Sequence, residues 1–185
     1  MSVAGGGRPP GAGAEPDAAV PEGVLIRPAM PGDAREWIRH VGEVAAEGRY
    51  IRTERPTWTV REIRKRWKEP WTVQKADIMA MADDRVIGSL SIGREANPVT
   101  RHVASLGMSV DATWRGRGVG SALMVEAFRW ARWAGVEKLA LTVYPHNQRA
   151  LNLYKKFGFE AEGRLTGHSK KSHGYEDEIV MGRWL

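Results

Sequence analysis

The sequence predicts a mixed α/β (α+β) domain, on three observations. Runs with strand-like and helix-like hydrophobic periods alternate over residues 24–185 in the order β, α, α, β, β, β, α, β, α, β, β. One of these strands, at 103–110, passes through a glycine-rich turn into an amphipathic helix that stops at Gly135. The 185 residues are 42% hydrophobic, enough for one core, and no apolar run is long enough to span a membrane.

The first 23 residues, MSVAGGGRPPGAGAEPDAAVPEG, hold almost no large apolar side chain, so burial cannot offset the entropy of ordering them. They read as a disordered tail ahead of a single domain at 24–185, and they lack the basic start and apolar stretch of a secretory leader. With no cysteine there is no disulfide framework, thiolate nucleophile or Cys-based metal site. A cytoplasmic protein is expected.

Val24 to Arg27, stopped by Pro28, reads as the first strand. Asp33 with Glu36 three residues on predicts a capped helix over Asp33 to Glu47, with Trp37, Val41, Val44 and Ala45 on its apolar face. Thr59 and Glu62 repeat that pattern for a short helix ended by Pro70. Ile78 to Ala82 and Arg85 to Gly93 form a hairpin about Asp83-Asp84, and Val103 to Val110 is the next strand. Gly118 to Ala134 is a helix, Leu139 to Val143 a strand, and Asn147 to Phe157 a helix closed by Gly158. Two last strands, Phe159 to Leu165 and Tyr175 to Trp184, flank a polar loop at Gly167 to Gly174.

The formal charge of +6 is local in origin. Residues 49–75 carry nine basic against three acidic side chains. Such a stripe is either a solvated helix face or a surface for nucleic acid, an acidic protein or a phosphorylated cofactor. The histidines, His40, His102, His146, His168 and His173, lack the i, i+4 spacing of a helical zinc site, so no metal is expected.

Chemistry concentrates in Leu106 to Ser121. Glycines at 116, 118 and 120 let backbone N–H groups approach an anion, and the helix N-terminus behind them adds partial positive charge. Arg115 and Arg117 add full charges, which makes a pyrophosphate cradle. A P-loop would need Gly-Lys-Ser/Thr, absent here. A dinucleotide fingerprint on Gly116 and Gly118 would need a third glycine where Ser121 stands.

Arg115-Gly116-Arg117-Gly118-Val119-Gly120 resembles the Arg/Gln-x-x-Gly-x-Gly/Ala motif of the GNAT N-acetyltransferases. Thr142 to Asn147 followed by Ala150-Leu-Asn-Leu-Tyr154 and Gly158-Phe159 resembles their second block, and Gly174 to Met181 their last strand. The resemblance implies a central, mainly antiparallel sheet that splays in a V between the strands ending near Val110 and Val143, flanked by about four helices. It implies acetyl-CoA as donor, with Arg115, Gly116, Arg117, Gly118, Val119, Gly120 and Ser121 on the pyrophosphate. The backbone N–H groups around Met108 to Val110 then contact the thioester carbonyl, Asn147 contacts the cofactor on the pantetheine side, and Tyr154 serves as general acid. Asn147 and Tyr154, two helical turns apart, share a face.

Those residue types suit direct transfer to a primary amine, since a Tyr hydroxyl of reference pKa near 10 can protonate the departing thiolate. A lysine-type amine must also lose a proton at roughly 4.6 kcal/mol at neutral pH, an α-amino group at only about 1 to 1.4. Candidate bases are Glu43, Glu47, Glu54, Glu176 and Glu178, each also readable as a surface carboxylate. Asp177 lies on the opposite face of its strand, as a structural acceptor or a substrate ligand. Trp37, Trp58, Trp67 and Trp71 fall where the family builds its acceptor pocket, whereas Trp130 and Trp133 read as packing residues. The expected acceptor is a small-molecule amine or amino acid. A peptide N-terminus of the ribosomal-protein kind, or a non-catalytic acyl-CoA sensor, is the alternative. A homodimer is open, no membrane partner is expected, and nucleic acid has only the basic stripe behind it.

Overall fold

The computed structural model describes residues 18–185; most of the predicted disordered tail, residues 1–17, lies outside them. Seven strands form one sheet in the order β1-β2-β3-β4-β5-β7-β6, where β1 is Leu25–Pro28, β2 Lys75–Ala82, β3 Arg85–Arg94, β4 Val103–Val110, β5 Lys138–Val143, β6 Glu160–Lys171 and β7 Gly174–Trp184. Every neighbouring pair is antiparallel except β4 and β5. The helices are α1 (Ala34–Ala46), α2 (Val60–Arg66), α3 (Val119–Trp133) and α4 (Gln148–Lys156).

Alternation along β2 shows how the layers are built. Ala76, Ile78 and Ala80 point into the main core with Leu123, Phe128 and Trp130 of α3, while Met79 and Met81 point into a second core with Trp37 and Val41 of α1 and Ile63 of α2. Helices thus cover both faces of the central strands, and β2 is buried almost throughout. The hairpin turn at Asp83-Asp84 forms without glycine, both residues taking positive φ of 46° and 59°, as a tight two-residue turn demands.

Three local expectations are corrected. Asp33 precedes α1 but makes no side-chain cap to it; its carboxylate accepts from the Met30 N–H at 2.7 Å and from Arg27 at 2.7 and 2.8 Å, and so caps the single 3₁₀ turn before the helix. The Thr59–Glu62 capping box does form. The polar loop expected at Gly167 to Gly174 is the distal part of a long β6–β7 hairpin, with irregularities near Ala161–Gly163 and Leu165–Ser169. As an edge strand, β6 is exposed on both faces over 160–164, and beyond that its half-buried face carries polar residues such as Ser169 and Lys171, so no hydrophobic alternation reveals it. Finally, Trp37 and Trp67 are buried in the second core, with Trp58 packed 5.2 Å from Trp37, so they shape the α1–α2 layer.

The basic stripe is partly spent inside the fold. Arg66 holds the buried Asp77 carboxylate with contacts of 3.0 and 2.6 Å, and Arg52 pairs with Glu178, while Arg61, Arg64, Lys65 and Lys68 remain exposed. Among the described residues no helix is long and apolar enough to cross a membrane.

Candidate active site

The sheet opens where its one parallel pair ends. β4 and β5 are paired only from Val103–Ser105 to Lys138–Ala140; beyond that β4 continues on β3, Met108 opposite Leu90, and β5 continues on β7, Thr142 opposite Val180. The β4 edge facing β5 therefore loses its strand partner over the residues where carbonyl contacts were expected, and a cleft of about 780 Å³ fills the gap. The predicted residues Met108, Val110, Arg115, Gly116, Gly118, Gly120, Ser121, Asn147 and Tyr154 all line it.

One wall is the glycine turn. Gly116 and Gly118 take φ of +77° and +90°, and a Cβ on Gly120 would lie 3.1 Å from the Leu153 side chain. The first bond of α3 runs from the Ala122 N–H to the Gly118 carbonyl, so among the described residues the N–H groups of Gly116 to Ser121 have no backbone acceptor. A run of free donors at the start of a 15-residue helix is an anion site by geometry and dipole together. Val119 faces the other way and is buried in the main core, and Arg117 is exposed with its guanidinium 5.4 Å from the Trp114 ring centre. Arg115 reaches back: it donates to the Val110 carbonyl at 2.9 Å, binds Glu47 with both terminal nitrogens and lies over Tyr50. Glu47 is thus a strut for the glycine turn, and its hydrogen bonds raise the Arg115 pKa further.

The opposite wall is α4. Asn147 caps it, its Oδ1 accepting from the Ala150 N–H at 3.2 Å. Two turns on, Tyr154 is 5% exposed with its ring 5.9 Å from Phe159. Among the described residues its hydroxyl bonds nothing, and burial pushes its pKa up to about 12. Arg149 and Lys156 of the same helix also face the cleft.

The remaining carboxylates separate by environment. Glu178, read as a surface residue, is 2% exposed and lines the cleft, a correction. Burial pushes its carboxyl up, but hydrogen bonds from Arg52, Ser169 and Thr142, with the Arg52 charge, outweigh that and hold it at about 2. Glu54 binds the Ser172 N–H and hydroxyl at 2.9 and 2.7 Å, Glu43 pairs with Arg39, and Glu176 pairs with His173. Asp177 accepts from the Gly167 N–H and Arg164, which hold its carboxyl below the usual range. None of the four tryptophans expected at the acceptor pocket lines this cleft; Trp114 does. Sequence reading missed Arg52, Ser109 and the fully buried His40. His40 sits between Trp37 and Val41 on the apolar face of α1, and a polar side chain there has to find a buried partner.

A family model described as Acetyltransferase (GNAT) family matches residues 43–159, more than half of the chain. The chain belongs to the GNAT acetyltransferase family. This GNAT chain is 38% identical over 107 residues to the L-amino acid N-acetyltransferase AaaT of Escherichia coli, covering 57% of the chain and 66% of that protein. It is 31% identical over 145 residues to the mycothiol acetyltransferase of Thermomonospora curvata, covering 78% of the chain and 46% of that protein. The chain thus spans about half to two thirds of these curated relatives. Its fold matches the crystal structure of a GNAT-family acetyltransferase from Streptococcus pneumoniae with a TM-score of 0.81 at 26% identity, over 88% of this chain and 99% of that one. The splay and the cleft therefore lie in a GNAT fold, as the two sequence blocks led us to expect.

Proposed function

We propose that the chain transfers an acetyl group from acetyl-CoA to the primary amine of a small molecule or amino acid. The observation that carries this reading is the opening of β4 from β5, flanked on one side by the N–H groups of Gly116 to Ser121 and on the other by the Tyr154 hydroxyl, all without a partner among the described residues. The residues fit the donor. Glycines keep the turn clear of side chains, the free amides and helix N-terminus take the pyrophosphate, and Asn147 with the open edge of β4 lines the path for pantetheine. When bound, acetyl-CoA supplies the activated carbonyl and the thiolate leaving group.

Tyr154 keeps its proton throughout the neutral range, so it can donate to the sulfur as the C–S bond breaks. Glu178, ionised at neutral pH and facing the cleft beside Arg52, offers a counter-charge for an acceptor ammonium. The likeness to an L-amino acid N-acetyltransferase favours an α-amino acceptor, which also costs least to deprotonate. The test is release of free coenzyme A from acetyl-CoA against L-amino acids, polyamines, aminoglycosides and N-terminal peptides. We expect turnover on amino acids or another small amine. Turnover confined to peptides moves the acceptor to a protein N-terminus, and acetyl-CoA binding without transfer to any class contradicts the enzyme.

A further inference from the structure

A buried hydrogen-bonded chain leads from α1 to the wall of the cleft. The Trp37 indole N–H donates to Ser89 Oγ at 3.2 Å, the Ser89 and Ser109 hydroxyls lie 3.2 Å apart, and Ser109 Oγ is 2.8 Å from His40 Nε2. His40 Nδ1 meets the Asp111 carboxylate. Both ends have fixed polarity, because an indole N–H can only donate and a carboxylate can only accept. With a neutral imidazole every proton between them is therefore assigned: Ser89 donates to Ser109, Ser109 donates to His40 Nε2, and His40 Nδ1–H donates to Asp111. Of these five side chains Ser109 alone lines the cleft, and one of its lone pairs is left to accept from something bound there. His40 is 0% exposed and, among the described residues, bonds Asp111 and Ser109, of which Ser109 lines the cleft.

Resting on the acetyltransferase reading, we propose that Ser109 with the His40–Asp111 pair is the route by which the acceptor amine loses its proton. The amine donates an N–H to Ser109 Oγ; as the C–N bond forms, that proton passes to the serine oxygen while the serine proton passes to His40 Nε2. The resulting imidazolium faces Asp111. The C–S bond breaks, and the sulfur takes the Tyr154 proton. After product leaves, His40 returns its proton through Ser109 to water, Tyr154 is reprotonated from water, and the balance is one amine plus one thioester giving one amide plus one thiol. Ser109 is the group that touches the acceptor, and His40 and Asp111 act through it. Glu178 suits this task less, since its oxygens already accept from Arg52 and Ser169.

The charges around the imidazole are otherwise neutralised in pairs. On α1, Glu36 and Glu43 bind Arg39, and Glu47 binds Arg115; among the described residues β3 and β4 bring the hydroxyls of Ser89 and Ser109 to the chain, and the turn after β4 brings Asp111. An imidazolium cannot accept a proton, so the relay works only with a neutral His40.

The experiment measures kcat and KM across pH for wild type, Ser109→Ala, Ser109→Thr and His40→Gln, on acetyl-CoA and an acceptor that wild type uses. Ser109→Ala keeps the His40–Asp111 contact but removes the hydroxyl that bridges Ser89 and His40, so the melting temperature is read beside the rates: a purely structural role lowers it and leaves the shape of the pH profile unchanged. The relay predicts a kcat lower by roughly 10²–10⁴-fold in Ser109→Ala. It further predicts an unchanged KM for acetyl-CoA, loss of the acid limb beyond that of the amine itself, and partial recovery in Ser109→Thr. Full kcat with the wild-type pH profile in Ser109→Ala overturns the relay alone. An acetyl group found on Ser109 after incubation with acetyl-CoA and no acceptor overturns it in favour of a covalent nucleophile. A wild type that binds acetyl-CoA and acetylates no amine overturns the acetyltransferase reading, and the relay with it.

Discussion

Replacing Tyr154 by Phe is expected to lower kcat by roughly 10²–10⁴-fold, the usual contribution of a positioned proton donor, with little change in acetyl-CoA affinity. The structure makes this a clean substitution. The ring packs against Phe159 in the main core, and Phe keeps that packing. The hydroxyl bonds nothing among the described residues, so its loss strands no partner, and the variant should melt at or slightly above the wild-type temperature. Full turnover in the variant would remove Tyr154 from the chemistry. A loss of turnover together with a fall in melting temperature would mean that packing, not proton donation, was disturbed.

The largest expected effect on stability is at Phe128. Its side chain is 0% exposed on α3, with ring centres 5.8 Å from Phe157 and 6.2 Å from Phe159, and the Arg183 guanidinium lies 4.6 Å from its own. Phe128→Ala leaves a cavity beside Phe157 and Phe159 and removes the ring face over which that cation sits. The expected cost is about 3–5 kcal/mol, a large share of the roughly 5–15 kcal/mol that holds a domain folded. Urea unfolding measures it: a fall in the midpoint at unchanged slope is predicted, whereas a cost below about 1 kcal/mol would mean that the aromatic cluster repacks around the gap. Because α3 carries the glycine turn on its N-terminus and α4 carries Tyr154, this cluster also ties the two walls of the cleft together.

The core elements were legible because each combines a hydrophobic period with a capping or turn residue. Val103–Val110, α3 with Gly135 behind it and the Thr59–Glu62 cap lie within a residue or so of where the sequence puts them. What the sequence hides is set by long-range contact. The outer half of β6 turns Ser169 and Lys171 inward, where they bond Glu178 and the Gly48 and Ile51 carbonyls, so its half-buried face is polar and no hydrophobic period marks it as a strand. Arg115 reads as a free cation until the fold brings Glu47, 68 positions away, against it. Glu178 reads as a surface carboxylate until Arg52, 126 positions away, closes over it. His40, Ser109 and Asp111 come from two distant segments and share no spacing rule, so only the folded sheet brings them together. The glycine turn, by contrast, is legible locally: its positive φ angles fall on Gly116 and Gly118, and its free N–H groups are those ahead of the first bond of α3.

That turn is where the account is most exposed to test. Direct binding of acetyl-CoA, followed by titration calorimetry on wild type and on Gly118→Ala, asks whether the open N–H groups in the splay hold the pyrophosphate. Gly118 has φ of +90°, which alanine adopts only with strain, so the substitution shifts the donors while adding no charge. Wild type is expected to bind acetyl-CoA and Gly118→Ala to bind it at least about tenfold more weakly, a loss near 1.4 kcal/mol. Equal affinity in the two proteins, or no binding to wild type, would contradict that expectation.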